Sequence, residues 1–348
     1  MERVSWVPRK SVDQVLVEKY LKDSIRSNNF TNGGPNVCRL ERFIKERFEI
    51  KDKSVICVCN GSSAIQMLCA AIEYVDCLDK KSFKWATQSF TFPPSAQGFL
   101  SKSVIVDIDK EGGLDLEQLP KDVDGIIVTN VFGNVVDINK YVVWSNENGK
   151  YLVFDNAATA FTLYKGQNSC NYGHGSIISF HHTKPVGFGE GGAIIVDTRY
   201  EHAIRRLINF GLDNKRAELM WHREASNHKM SDIAAVFILQ HLSNLNQIIE
   251  HHCKLYAYFQ DKLDTKIHIN LYPTHGDGVP FVSCFSLMFL EYDDQVRLRL
   301  LENGVFCRKY YKPLNSTPMA TQFYRQILCI PCTYDMTEAD IDFIFEFL

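Results

Sequence analysis

The chain has 348 residues, 45% of them hydrophobic, with a formal net charge of −3. That is enough for a large core and roughly two domains, and it offers no basic balance for nucleic acid or an anionic membrane. No apolar run approaches the ~20 residues needed to span a bilayer, residues 1–14 are too polar and too mixed in charge for a signal peptide, and the eleven cysteines are scattered, so a reduced, cytoplasmic protein is expected.

Residues 12–27 read as a first helix. Val12, Val15, Leu16 and Tyr20 form an apolar stripe, widened by Val17, Leu21 and Ile25. The cluster TNGGPN at 31–36 reads as a turn, and a second helix is expected over 37–48. Strands and helices then alternate. SVICVC (54–59) is a strand and SSAIQMLCAAIEYV (62–75) a helix. FKWATQ (83–88), SVIVDI (103–108), GIIVTNV (125–131) and YLVFD (151–155) are strands. This rhythm predicts an α/β fold, with a mostly parallel sheet flanked by helices. Residues 231–263 read as one long amphipathic helix linking two domains. The boundary is expected there, with a large domain over 1–230 and a smaller α+β domain over 231–348.

GFGEGG (187–192) fits the letters of a dinucleotide-binding fingerprint, which needs a strand before it and a helix after it. Here the apolar run AIIVD follows at once. The unit reads strand–loop–strand, with the glycines allowing a tight turn beside a ligand. His181 and His182 are adjacent and would face opposite sides of an extended segment, which makes them poor joint metal ligands; no metal site is expected. Cys329 and Cys332 form a C-x-x-C without the surroundings of a redox or zinc motif, and the plainer reading is a buried strand ending at Pro331.

Three features remain. CNGSSAI (59–65) runs from a strand into a helix, where backbone N–H groups and hydroxyls suit a phosphate; an ordinary helix cap at Ser62 or Ser63 explains the same residues. Asp155 ends a strand and would face the ligand crevice at the carboxyl edge of a parallel sheet; alone, it reads better as a turn or helix-cap aspartate. Lys184 follows another strand. Lysine, carboxylate, phosphate cradle and an aromatic residue from SFTFPPSA (89–96) are together what pyridoxal 5'-phosphate requires.

On these residues the chain resembles the DegT/StrS sugar aminotransferases, fold-type I pyridoxal-phosphate enzymes acting on nucleotide-linked keto sugars. The matching segments are TNGGP, NGSSAI, SFTF, VFGNVVDI, SFHHTKPVGFGEGGAIIV and SNHKMSDIAAV. The resemblance implies a seven-stranded, mostly parallel sheet. It implies Lys184 as the internal aldimine and proton shuttle, and Asp155 as partner of the pyridinium nitrogen. Ser62, Ser63 and Ser179 would hold the phosphate, and Phe92 would stack on the ring. Asn227 would reach the phosphate from a partner subunit, making a homodimer. Thr31, Asn32, His182, Arg308, Tyr310 and Tyr311 would hold the nucleotide sugar. Two positions depart from the family pattern: Ala158 stands where Gln or His is usual, and Lys229 where Arg is usual, losing the planar fork.

The implied reaction moves an amino group from L-glutamate to a nucleotide-linked 4-keto-6-deoxyhexose, as in viosamine or perosamine synthesis, with a 3-keto acceptor as the alternative. A dehydratase of the same fold would carry histidine at Lys184, and a non-catalytic binding or regulatory protein would have no need of the Lys184–Asp155 pair.

Overall fold

The computed structural model describes residues 3–76, 82–213, 218–219, 222–263 and 268–348. Seven strands form the main sheet: β1 (Lys53–Val58), β2 (Trp85–Gln88), β3 (Val104–Val106), β4 (Gly125–Thr129), β5 (Tyr151–Asp155), β6 (Gly175–Ser179) and β7 (Gly192–Asp197). Their spatial order is β1-β7-β6-β5-β4-β2-β3. The five strands from β3 to β6 are parallel. β7 runs antiparallel to both β1 and β6.

Alternation along the strands assigns each face to a helix layer. Ile127, Val153 and Ile177 point to the core that contains α3 (Gly61–Asp76). Ile126, Val128, Leu152 and Phe154 point the opposite way, to Ile138 and Tyr141 of α4 (Ile138–Asn148). Covering both faces explains why these strands read as continuous apolar runs.

The two N-terminal helices are α1 (Gln14–Ser27) and α2 (Pro35–Arg47). Asp13 caps α1 by accepting from the Leu16 N–H at 3.0 Å, and Asn28 ends it with φ 47°. α2 begins at Gly34, which has no side chain to cap it. The cap comes from far along the chain. The carboxylate of Asp232 accepts the Asn36 and Val37 N–H groups at 2.8 Å each, together with Ser24 Oγ at 2.5 Å and Asn36 Nδ2 at 2.9 Å. A Cβ on Gly34 would lie 2.6 Å from that carboxylate. The turn TNGGP and the segment SDIAAV are thus two halves of one contact.

The expected single helix over 231–263 is two. α5 (Glu201–Leu207) is followed by α6 (Asp232–Leu242), and Ser243 and Asn244 interrupt the run before α7 (Leu245–Leu263). Ser243 Oγ donates to Gln240 O at 2.6 Å, a side-chain bond that competes with continued helix. The break also separates two burial patterns. α6 is buried on almost every side against α1 and α2. α7 begins in that same core with Leu245 and Ile248 and ends in a second core with Leu255, Phe259 and Leu263. α7, rather than the whole stretch, passes between the two cores.

The second core lies on an antiparallel sheet of β8 (Ile269–Leu271), β9 (Cys284–Phe289) and β10 (Ile327–Pro331). Helices α8 (Asp294–Glu302), α9 (Pro318–Gln326) and α10 (Glu338–Phe345) complete this part. Cys329 and Cys332 have separate surroundings: Cys329 Sγ lies 3.9 Å from Tyr310 O, and Cys332 Sγ 3.5 Å from His252 Nδ1. No helix among the described residues is long and apolar enough to cross a membrane.

Asp232→Ala leaves the N–H groups of Asn36 and Val37 buried without acceptors. Hydrogen bonds to a charged group are worth about 1.5–3 kcal/mol each, so urea unfolding should register a loss of about 3–6 kcal/mol for the two.

Candidate active site

β6 is parallel to β5, so it exits the sheet at the edge where Asp155 ends β5. The chain then turns back into β7 without crossing to the other edge. The connecting loop, residues 180–191, therefore stays beside Asp155, and it carries Lys184. Its bends are held by the His181 carbonyl accepting the Lys184 N–H at 2.8 Å and the Lys184 carbonyl accepting the Gly187 N–H at 3.0 Å. Gly187 is required by close approach, because a Cβ there would lie 2.0 Å from His181 O. Gly189 has φ +70° and open space around it. Gly191 packs toward the core, with Ile238 Cδ1 2.8 Å from where its Cβ would be. Gly191 is thus also constrained by close packing against α6.

β7 also pairs with β1, and α3 starts directly after β1. This brings the helix N-terminus to the same edge. Asn60 Oδ1 accepts the Ser63 N–H at 2.8 Å, a cap that does not use the N–H groups of Gly61 and Ser62. A Cβ on Gly61 would lie 3.1 Å from Ser179 Cβ. The missing side chain leaves a cradle between the helix start and the end of β6.

These parts surround one cavity of about 430 Å³. Asp155, Lys184, Ser62, Ser179 and Ala158 line it. Phe92, Trp6, Arg308, Tyr310 and Tyr311 line it as well. Asp155 Oδ1 accepts the Ala157 N–H at 2.9 Å. Burial pushes the Asp155 carboxyl up, while that N–H and the Lys184 charge pull it down. Burial pushes the Lys184 amine down, opposed by Asp155 and Cys284. A lysine held toward its neutral form is ready to act as a nucleophile or base.

The sequence expectations fall into two groups. Ser62, Phe92, Asp155, Ser179, Lys184, Arg308, Tyr310 and Tyr311 share the cavity. The remaining five are elsewhere. Ser63 Oγ lies 3.1 Å from His228 Nδ1. The ring of His182 packs edge-on to Phe188. Thr31, Asn32 and Asn227 are exposed, and Asn32 lines a separate hollow of about 710 Å³ with Asn209 and Lys229. Ala158 lines the cavity with only a methyl group, and Thr129 and Asn130 line it too, their side chains bonded to Thr91 and Asn156. Sequence reasoning missed Trp6, which belongs to no motif. Its ring lies 5.5 Å from that of Tyr310, with the Arg308 guanidinium 5.2 Å above it.

Comparison with known proteins bears directly on this arrangement. Residues 13–348 match the DegT/DnrJ/EryC1/StrS aminotransferase family. The chain belongs to that family. Among its relatives is the dTDP-4-amino-4,6-dideoxy-D-glucose transaminase of Shigella dysenteriae, 25% identical over 93% of this chain and 92% of that protein. Another is the UDP-2-acetamido-2-deoxy-3-oxo-D-glucuronate aminotransferase of Pseudomonas aeruginosa, 26% identical over 82% of this chain and 79% of that protein. The fold matches a crystal structure of a putative PLP-dependent aminotransferase from Bacillus cereus, with TM-score 0.86, 21% identity and coverage of 99% of both chains.

As a member of the DegT/DnrJ/EryC1/StrS family, the chain is a pyridoxal-phosphate-dependent aminotransferase. The cavity fits that cofactor. The Gly61 cradle at a helix N-terminus suits a phosphate, and a buried carboxylate suits a protonated ring nitrogen.

The buried amine makes a pH prediction for the cofactor-free protein. Lys184 titrates below 10.5 when folded, so below that pH the unfolded chain binds a proton that the folded chain does not. Its contribution to stability therefore falls as pH drops from 10.5 toward the folded value. Lys184→Met should flatten that slope in denaturant unfolding, and an unchanged difference between neutral and alkaline pH would show that the amine is not held neutral.

Proposed function

We propose that this aminotransferase transfers the amino group of L-glutamate to a nucleotide-linked 4-keto-6-deoxyhexose, giving a 4-amino-4,6-dideoxy sugar nucleotide. The observation that carries the reading is the aromatic and basic part of the lining of the Lys184 cavity. Beyond the phosphate cradle and the Lys184–Asp155 pair, Trp6, Arg308 and Tyr310 present a guanidinium among aromatic faces. Such a surface suits an anionic diphosphate joined to flat and ring-shaped groups. The Shigella relative is named for a 4-amino-4,6-dideoxy sugar. The Pseudomonas relative is named for a 3-oxo sugar, which makes a 3-keto acceptor the second reading.

The cofactor, when bound, supplies an electron sink for the carbanion formed at the donor's α carbon. The chain supplies the rest. Lys184 Nζ takes the proton from the donor's Cα as general base. Asp155, its carboxylate oriented by the Ala157 N–H, would pair with the protonated ring nitrogen. The N–H groups of Gly61 and Ser62, with the hydroxyls of Ser62 and Ser179, would hold the phosphate, and Phe92 would lie against the ring; all four residues line the cavity.

Asn32 and Asn227 lie outside this cavity. We assign them to the cavity of a second copy, so the working unit is a homodimer with shared sites.

Three experiments test this reading. Glutamate should bleach the visible band of the bound cofactor, and only the correct keto sugar should restore it; a 3-keto sugar restoring it faster than a 4-keto sugar would select the second reading. Lys184→Ala should lower turnover by roughly 10²–10⁴-fold. For the dimer, mixing Lys184→Ala with Asn227→Ala chains should return activity that neither homodimer shows, because one of the two sites in a mixed dimer has both residues intact. Full activity of the Asn227→Ala homodimer would remove Asn227 from the site.

A further inference from the structure

Residues 3–13 have no helix and no motif, yet they run along both cores. Val4 bridges to Val305, the Arg9 N–H donates to Asp335 Oδ2 at 2.9 Å, and the Asp13 N–H donates to Gln240 Oε1 at 3.0 Å. Between these anchors Lys10 reaches under the loop that carries Lys184. Its Nζ donates to His182 O and Lys184 O at 2.7 Å each, and to Gly187 O. Three carbonyls thus use the three donors of one ammonium. Among the described residues no carboxylate pairs with Lys10. His241 takes a fourth carbonyl, its Nε2 lying 2.9 Å from Pro185 O, so that nitrogen carries the proton. The outward carbonyls of residues 182, 184, 185 and 187 therefore rest on basic side chains from outside the loop. Neither Lys10 nor His241 lines the cavity.

We infer that Lys10 is a positioning residue for Lys184, holding the loop backbone in the shape that aims the Lys184 amine into the cavity. The loop's own backbone bonds close its bends but leave the carbonyls of His182 and Gly187 to donors from outside it. Gly189 gives the loop backbone freedom, and a loop of that kind samples other shapes unless its carbonyls are held. Lys10 binds the carbonyl of Lys184 itself, so displacing Lys10 moves the backbone from which the reactive side chain departs. Burial pushes the Lys10 amine down to about 7, and the three carbonyl oxygens are what favour its charged form.

The inference rests on Lys184 being the residue that binds the cofactor covalently, and the test separates the two. Cofactor-free protein is mixed with pyridoxal phosphate, quenched with borohydride at intervals, and digested for mass spectrometry. The fraction of Lys184 carrying the reduced cofactor gives a capture rate, and filtration before reduction gives total bound cofactor. Lys10→Met should lower the unfolding midpoint, because two loop carbonyls lose their donor, and should slow capture at Lys184 by about tenfold per folded chain while total bound cofactor per folded chain changes little. Lys10→Arg, which keeps the charge and several donors, should recover much of the rate, and Lys10→Gln should fall between. Capture in Lys10→Met at the unsubstituted rate would overturn the inference, as would a loss matching the fall in folded protein. Should Lys10→Met fail to fold, the pair Lys10→Arg and Lys10→Gln decides, and equal rates would overturn it. No modification of Lys184 in the unsubstituted protein would instead remove the covalent role itself.

Discussion

The site depends on a single reversal of direction in the sheet. β6 leaves at the same edge as Asp155 because the two strands are parallel, and β7 must start where β6 ended. The loop between them cannot leave that edge. Pairing of β7 with β1 then draws the start of α3 to the same place, with Gly192 so close that a Cβ would lie 2.6 Å from Asn60 C. Lysine, carboxylate and helix N-terminus are separated by many residues, and strand order alone makes them neighbours.

Electrostatics at that edge oppose ordinary ionisation. Burial raises the Asp155 carboxyl and lowers the Lys184 amine, and their mutual attraction only partly offsets this. A cofactor bound in this cavity would change that balance by offering each group a partner. The loop backbone is held from the other side by Lys10 and His241. The cavity side of the loop remains available for chemistry while the far side carries the hydrogen bonds that shape it.

Much of this was legible in the residues. The sheet could be read because its strands are buried on both faces and so have long apolar runs. Lys184, Asp155, Ser62, Ser179 and Phe92 could be named because their local motifs are distinctive. The helix over 231–263 misled, since apolar spacing continues through Ser243 and Asn244 although the side chains face two different cores. Trp6 and Lys10 were invisible, because a segment held by scattered contacts to distant residues carries no periodicity. Ser63 illustrates a finer limit. Neighbouring hydroxyls at a helix start look equivalent in sequence, yet Ser62 lines the cavity while Ser63 turns to His228.

The sequence by itself determined the α/β architecture, the strand–loop–strand setting of Lys184 and the chemistry available to it, because burial periodicity and short motifs are local properties. Only the tertiary structure decided which residues share a wall and what holds the loop. Asp232 capping α2, Trp6 in the cavity lining and Lys10 beneath Lys184 all join residues far apart in the chain. Such contacts are set by how layers pack, and packing brings together side chains whose separation in sequence carries no signal.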